Sequence, residues 1–300
     1  MADPVRILIT GGSGQLGLAL TAANWPENVL IHAPTRAEMD MSDIDSINVY
    51  LKRKLFDAVI NAAAYTGVDQ AENDVANAFL INALGPAALA QATRERGAAL
   101  IQVSTDYVFD GLRRGFYREA DPTTPLNVYG ASKLAGELAT LRGNPRSIVL
   151  RSAWIFSAER SNFLKTMLRI AATQDTVRVV NDQHGNPTSA RDLADALKTI
   201  TLRMIANKKS PTGIYHFTNT GETTWAGLAR EIFSISADLG GPFARVEDIT
   251  TDQYLTPARR PLYSCLSNDK ISHDYAIMPR PWQDTLIEVL SEINAKRSSK

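Results

Sequence analysis

Disulfide chemistry is absent from this chain. Its 300 residues include one cysteine, Cys265, which excludes an internal disulfide and a thiolate metal cluster. Net charge is missing too, with 32 basic residues against 32 acidic ones and no long run of either sign. That balance argues against a polyanion-binding surface, so no nucleic-acid partner is expected, although a local basic pocket stays open. No apolar run approaches the roughly 20 residues that span a bilayer, so no membrane partner is expected either. The opening MADPVRILITGG has no basic stretch leading into a long apolar one and reads as a first strand, not a signal peptide. These absences together fit a cytoplasmic soluble protein. Internal repeats and low-complexity linkers are also lacking, so a second lobe is expected to interleave with the first instead of following a clean boundary.

An apolar share of 44% is enough for a sizeable core. The length allows one large domain or two lobes of about 150 residues each. Short β-rich runs alternate with helical stretches through the first half. Strands are predicted at Val5–Thr10, Val29–Ala33, Ala58–Ala62, Ala99–Ser104 and Ile148–Ala153. Helices are predicted at Gly14–Ala23, Asp43–Lys54, Asp74–Arg96 and Asn127–Arg142, with Pro86 a candidate break in the third and Gly97 and Gly143 as terminating glycines. Such alternation predicts an α/β fold, a doubly wound parallel sheet of the Rossmann-like kind, with a smaller interleaved substrate-binding lobe. The second half carries predicted strands at Thr176–Val180 and Gly213–Phe217, and helices at Asn162–Ala172, Ser189–Ala206, Thr224–Asp238 and Trp282–Ala295. The division expected is a dinucleotide-binding domain of residues 1–155, joined by 176–181 and 189–218, and a substrate lobe of 156–175, 182–188 and 219–300.

The first strand runs directly into GGSGQLG, which places Gly11, Gly14 and Gly17 in the spacing GxxGxxG. Glycine there lets the backbone approach a pyrophosphate lying on the N–H groups of the next helix, and the third glycine permits close helix–sheet packing. A lone glycine pattern is weak, but its place between a strand and a helix supports dinucleotide binding. The second strand ends in Ala33-Pro34-Thr35-Arg36, with no acid until Glu38. An acid at that point usually holds a ribose 2′-hydroxyl, whereas Arg36 would neutralise a 2′-phosphate, or else is a solvated loop arginine. NADP(H) is therefore the expected cofactor. Asp40 is the next polar candidate at that end, or else an acid leading into the following helix. Ala62, Ala63 and Ala64 close the third strand with side chains small enough for a ligand to lie on the backbone, or for tight helix packing.

Strand four leads into QVSTDYVFDG, which sets the hydroxyls of Ser104 and Thr105 at the same sheet edge as the glycines. In YGASK, Tyr129 and Lys133 are four residues apart and share a helix face. Reducing a ketone takes a hydride on carbon and a proton on oxygen. A phenol near pKa 10 is a weak acid at neutral pH, and an adjacent ammonium is expected to lower that value. YxxxK alone is a weak signal. With the glycine turn and the strand-four hydroxyl in that order it becomes strong.

At this point the chain resembles the extended short-chain dehydrogenase/reductase family, and within it the branch that reduces 4-keto-6-deoxy sugar nucleotides. The likeness runs nearly end to end through GGSGQLG, NAAAYTGVDQAE, STDYVFDG, PLNVYGASKLAGE, LRSAWIF, NFLKTMLR, NDQHGNPTSARDLA and TPARRPLYSCL. It implies Thr105, Tyr129 and Lys133 as the catalytic set. It implies cofactor contacts at Gly14, Gln15, Leu16, Asp40, Met41, Ala64, Tyr65, Thr66, Tyr129 and Lys133, beside Gly11, Gly17, Arg36 and Ala63 from the motifs above. For the substrate, a dTDP-sugar, it implies Thr105, Asp106 and Trp154, with DQHGNPT and Arg260 lining the nucleotide end. Trp154 could equally be core. Arg259 and Arg260 could form a fork for a diphosphate or a solvated pair. The implied reaction is reduction of the C4 keto group of dTDP-4-dehydro-6-deoxy-L-mannose to dTDP-L-rhamnose, with NADP(H) and also NAD(H).

Some members of this family are described as magnesium-binding dimers, so a homodimer is one expectation. No metal ligand is assigned, because Arg191 stands at the start of SARDLAD where an acid would be wanted. Glu288 and Glu292 are one helical turn apart, a spacing usually found on a wet face. Two other functions compete. The regulatory subunit of methionine adenosyltransferase resembles the same family and acts as a binding partner. A sibling reductase would act on another keto-deoxy sugar nucleotide.

Overall fold

Residues 4–298 are described by a computed structural model. The chain begins β1 (Val5–Thr10), α1 (Gln15–Ala22), β2 (Val29–His32), α2 (Ile44–Arg53) and β3 (Ala58–Asn61). Two short helices, α3 (Val68–Ala71) and α4 (Val75–Phe79), lead through a π-helical turn at Leu80–Leu84 into α5 (Gly85–Glu95). Then come β4 (Ala99–Thr105), α6 (Val128–Gly143), β5 (Ser147–Ser152), β6 (Ile155–Phe156), α7 (Phe163–Ala171) and β7 (Thr176–Val180). The remainder is β8 (His184–Gly185), β9 (Thr188–Ser189), α8 (Ala190–Ala206), β10 (Gly213–His216), β11 (Thr223–Thr224), α9 (Trp225–Asp238), β12 (Arg245–Ile249), α10 (Asp269–Tyr275) and α11 (Trp282–Ser298).

Six strands form one parallel sheet in the order β10-β5-β4-β3-β1-β2. Successive strand residues serve opposite faces. Ile7 and Ile9 pack with Leu16 and Leu20 of α1 and Leu193 and Leu197 of α8. Leu8, Val59 and Leu100 pack on the other side with Ile47, Leu51 and Leu89. Each such side chain contributes about 1.5–3 kcal/mol when fully buried, which is why the strands read as unbroken apolar runs and not as alternating ones. After β1 the chain crosses to β2 on one side and returns to β3 on the other. The carboxyl edge between β1 and β3 is therefore a topological switch point, where ligands of such sheets bind.

Residues 176–181, expected with the dinucleotide-binding domain, do not pair with this sheet. β7 pairs instead with β12 in a separate two-stranded parallel sheet. Val177 and Val179 point into a second apolar cluster with Leu164, Met167, Ile232, Phe233, Trp282 and Leu286, while Thr176 and Arg178 face water. The strand β12, RVEDI, and the helix α10 were not foreseen. Both are short and polar, and β12 buries Ile249 alone. Pro86 does not end the third helix. The helical path runs on through the π turn, which absorbs the missing proline N–H. Gly143 is the last residue of α6 and not a left-handed terminator. A Cβ there would stand 2.6 Å from that of Ala90, so it is the approach of α5 that requires glycine. The helical run Val75–Glu95 is long and apolar enough by composition to cross a membrane, contrary to the expectation of no such run, and 56% of its apolar 18-residue window is buried inside the fold.

Candidate active site

The cleft at the switch point has a volume of about 670 Å³. Its floor is the glycine turn. Gly11 has φ +67°, and a Cβ on it would come within 2.7 Å of the Ala63 backbone. A Cβ on Gly17 would collide with the Gly11 carbonyl at 2.0 Å, so that glycine is needed for packing. Gly14 is the N-cap of α1 and offers no side chain to cap it, so the first-turn N–H groups are available to an anion. A cradle of this shape fits a cofactor pyrophosphate. Gly11, Gly14, Gln15, Leu16 and Gly17 all line the cleft, together with Ala63, Ala64 and Thr66 on the β3 side. Tyr65 does not line it. The Tyr65 N–H donates to Asn82 Oδ1 at 2.8 Å, and its carbonyl accepts from Asn82 Nδ2 at 3.1 Å.

At the β2 end the cleft is lined by Arg36, Asp40 and Met41. Arg36 is 75% exposed and lies 3.6 Å from Asp40. The Asp40 carboxylate accepts from the N–H and hydroxyl of Ser42 at 2.8 and 2.7 Å, which holds its pKa below the ordinary carboxylate value. Asp43, not Asp40, caps α2, accepting from Asp45 and Ser46.

At the β4 end Tyr129 and Lys133 line the same cleft. The local sequence explains how α6 places them. Asn127 caps the helix by accepting from Gly130 N at 2.8 Å, and its Nδ2 donates to the Arg259 carbonyl at 2.7 Å. Glu72 accepts from Val128 N at 2.8 Å. A Cβ on Gly130 would stand 2.2 Å from the Tyr107 carbonyl oxygen, so the glycine of YGASK lets α6 press onto the strand-four loop. Its serine is used as well, since Asn82 Nδ2 donates to Ser132 Oγ at 3.0 Å. Asn82 thus ties the loop after β3 to α6. No sequence motif flagged it.

The Lys133 ammonium donates to the Val103 carbonyl at 2.6 Å. That carbonyl also accepts from Gln102 Nε2 at 2.8 Å, and Gln102 Oε1 accepts from Asn61 Nδ2 at 2.6 Å. Asn61 in turn accepts from the Thr10 hydroxyl. A buried polar chain therefore crosses the sheet edge from the glycine turn to Lys133. Burial pulls the Lys133 pKa down to about 8, opposed by Glu137 one turn along α6. Glu137 is itself held by Arg151 in a fully buried bidentate pair, at 2.9 and 2.7 Å.

The expected lowering of the Tyr129 pKa by Lys133 is not found. Burial pushes the phenol up to about 12; Thr105 favours the phenolate and the Asp106 charge opposes it. Desolvation dominates, and the Lys133 ammonium is directed to a backbone carbonyl instead of the phenol. Thr105 donates its hydroxyl proton to Asp106 Oδ1 at 3.0 Å and accepts from Tyr107 N at 3.2 Å. Asp106 is fully buried, which raises its pKa to about 6. The Ser264 side chain lies close enough to favour the carboxylate, but no hydrogen bond reaches the Asp106 Oδ2, nor the hydroxyl of Ser104. Buried polar atoms without partners are uncommon and mark where a polar ligand belongs.

Trp154 and Arg260 lie apart from this cleft. Trp154 has φ +47° and stacks on Trp225 with ring centroids 3.6 Å apart. A Cβ on Gly185 would strike its indole at 2.4 Å, so the glycine of DQHGNPT is there to admit the ring. Arg260 is half-buried and bound bidentately by Asp69, at 2.8 and 3.1 Å. Arg259 is exposed and offers its carbonyl, not its guanidinium, to Asn127. The two arginines do not form a fork. The cleft also contains Ser13, Ile155, Arg160 and Ser161, which sequence reasoning passed over.

The magnesium implied by the resemblance does not suit the residues present. Arg191 lies 3.0 Å from Glu292 and 4.0 Å from Glu288, so a guanidinium occupies the space between the acids. Among the described residues no group of three or more His, Cys, Asp or Glu side chains is placed to hold a metal ion.

A glycine-cradled cleft at the switch point, with a tyrosine and a lysine at its other end and, outside the cleft lining, a strand-four threonine beside that tyrosine, defines a nicotinamide-dependent oxidoreductase of the short-chain dehydrogenase/reductase class. Residues 5–295 match the model of the RmlD substrate binding domain, and the chain belongs to that family. It is 40% identical over 282 residues to a dTDP-4-dehydrorhamnose reductase of Sinorhizobium fredii, covering 94% of this chain and 95% of that one. The solved dTDP-4-dehydrorhamnose reductase of Clostridium acetobutylicum superposes with a TM-score of 0.90 at 35% identity, over 96% of this chain and 99% of that one. That of Bacillus anthracis, solved in complex with NADP, gives 0.89 at 32% identity with the same coverage.

Proposed function

We infer that the chain is an enzyme reducing the C4 keto group of dTDP-4-dehydro-6-deoxy-L-mannose to the hydroxyl of dTDP-L-rhamnose, at the expense of NADPH. The observation that carries this is the half-buried Tyr129 beside Thr105, in a cleft whose other end is the glycine cradle. The cofactor, when bound, supplies the hydride to C4. Tyr129 supplies the proton to the C4 oxygen. With its pKa near 12 the phenol stays protonated until an alkoxide, a stronger base, develops beside it. Lys133 holds a positive charge near that oxygen and the ribose hydroxyls of the cofactor. The single Thr105 proton goes to Asp106, so Thr105, which lies beside the phenol and favours its phenolate, must turn that proton to donate to the phenolate oxygen or the substrate carbonyl.

Asp106, with an unpartnered oxygen, suits a sugar hydroxyl. We assign Trp154 to the wall of the sugar site and Arg260 to the nucleotide end, held in place by Asp69. Arg36 favours NADPH while NADH remains usable. A cytoplasmic homodimer completes the proposal, with its mass in solution as the check on the dimer. The paired Arg191 favours a site that works without magnesium.

A binding-only role is disfavoured because Thr105, Tyr129 and Lys133 stand together at one sheet edge. The deciding experiment follows NADPH oxidation with the dTDP-4-keto sugar and with other keto-deoxy sugar nucleotides. Turnover at least tenfold faster with the first supports this reading. Faster turnover with another sugar transfers the assignment to a sibling reductase. No oxidation with any of them, despite tight cofactor binding, leaves the binding role.

A further inference from the structure

The segment between β6 and α7, residues 157–162, lies across the glycine turn. Gln15, the first residue of α1, holds it there: its Oε1 accepts from Ser157 Oγ at 3.1 Å and from Asn162 Nδ2 at 2.8 Å. Asn162 Nδ2 also donates to the Ser157 carbonyl at 2.8 Å, closing the segment on itself. At its corner stands Arg160 with φ +57°, a left-handed conformation that disfavours a side chain. Arg160 Nε donates to the carbonyl of Ser13 at 2.7 Å, so the guanidinium is docked on the tip of the glycine turn and lines the cleft.

The other cations of the cleft are engaged. Arg36 lies against Asp40, and Lys133 is bonded to the Val103 carbonyl. The acid next to Arg160 in sequence, Glu159, is taken by Lys296. Among the described residues no carboxylate lies within 4.0 Å of the Arg160 guanidinium, although one of its edges is fixed by the Ser13 bond. A guanidinium with one edge anchored and the other free, beside the uncapped first turn of α1, is arranged to meet an anion.

We propose that Arg160 is a cofactor-binding residue whose guanidinium neutralises the pyrophosphate lying on the glycine turn. The proposal rests on the reading of this cleft as the cofactor site. It assigns to the segment 157–162 a part in holding cofactor, which ties the smaller lobe to the first domain when cofactor is bound. The pyrophosphate is common to NADPH and NADH, so the contribution of Arg160 must be equal for both. Arg36, on the β2 side, is the residue that distinguishes them.

The test is the pair of dissociation constants, for NADPH and for NADH, read from nicotinamide fluorescence at low salt. Arg160→Gly is the informative variant, because glycine accepts the left-handed corner and the fold is retained. Both constants are expected to rise about tenfold, by loss of a charge-assisted contact at an exposed site, and the difference from wild type should shrink as salt is added. Arg160→Lys is expected to restore most of the affinity. Unchanged constants in Arg160→Gly would overturn the proposal, and so would a loss confined to NADPH, which would put the guanidinium on the 2′-phosphate. A loss that lysine does not restore would make Arg160 a loop-structure residue and overturn it as well. Failure of the wild type to bind either cofactor would instead sink the reading of the cleft.

Discussion

At the β4 end of the cleft Lys133 is buried and Tyr129 half-buried, and desolvation is the largest influence on each: it pushes the phenol up to about 12 and the ammonium down to about 8. At the β2 end, Arg36 is 75% exposed and shares its charge with Asp40. The same kinds of group thus sit in two dielectric regimes within one cleft. Where water is excluded, desolvation decides protonation and each hydrogen-bond partner matters. Where water enters, charge is screened and a guanidinium is worth little more than a surface ion pair. The sequence places a cation at each end without distinguishing them, and the difference is one of burial.

Substitutions at the two ends should therefore differ in size. Tyr129→Phe removes the proton at the dry end and is expected to cut turnover about a thousandfold or more, leaving the cofactor dissociation constant within about twofold of wild type; turnover near wild type would break the assignment. Lys133→Met should lower turnover about a hundredfold and weaken NADPH binding about tenfold. In the wild type the ammonium is present below about pH 8 and lost above it, so NADPH affinity should fall as pH rises through 8, and that dependence should vanish in Lys133→Met. A pH-independent wild-type affinity would mean that Lys133 does not touch the cofactor. Gly130→Ala drives a Cβ to 2.2 Å from the Tyr107 carbonyl unless α6 moves. The expected cost is about 1–3 kcal/mol of stability, seen in denaturant melts together with reduced turnover. Arg36→Ala, at the wet end, should reduce the preference for NADPH over NADH by tenfold at most, and by almost nothing in high salt. A hundredfold change there would show that cofactor binding dries the β2 end as well.

Backbone necessity was the part of the fold written most plainly in the sequence. Gly11 and Gly17 are glycines because nothing larger fits, so the β1–α1 turn could be read from its letters. Tyr129 and Lys133 were readable as a spacing, but the effect of one on the other was not, because proximity along a helix says nothing about solvent. Strand β7 was recognised and misplaced. Its alternation, TVRVV, describes a strand with one wet face, whereas the central strands of the main sheet, such as β5, are buried on both. That signal was present. Strand β12 had no such signal, since RVEDI is mostly polar and gains its partner through the distant Thr176–Val180. Arg160 was hidden for a further reason: a left-handed corner normally announces itself by glycine or asparagine, and here it is filled by arginine. Asn82 was equally silent, because its two bonding partners, Tyr65 and Ser132, come from separate segments.

The last strand of the main sheet, β10, pairs with β5 in the register Gly213↔Ile148 through His216↔Arg151. Between them the chain passes through α7, β7 and α8, much of it belonging to the second cluster. During synthesis, at about 5–20 residues per second, β5 therefore waits several seconds as an unpaired edge before its neighbour leaves the ribosome. Over that interval the nascent sheet has an open template for wrong pairing, and Arg151 of β5 lacks the strand that completes its burial. The long insertion between these two paired strands is thus also an interval in the order of synthesis, during which the sheet is one strand short.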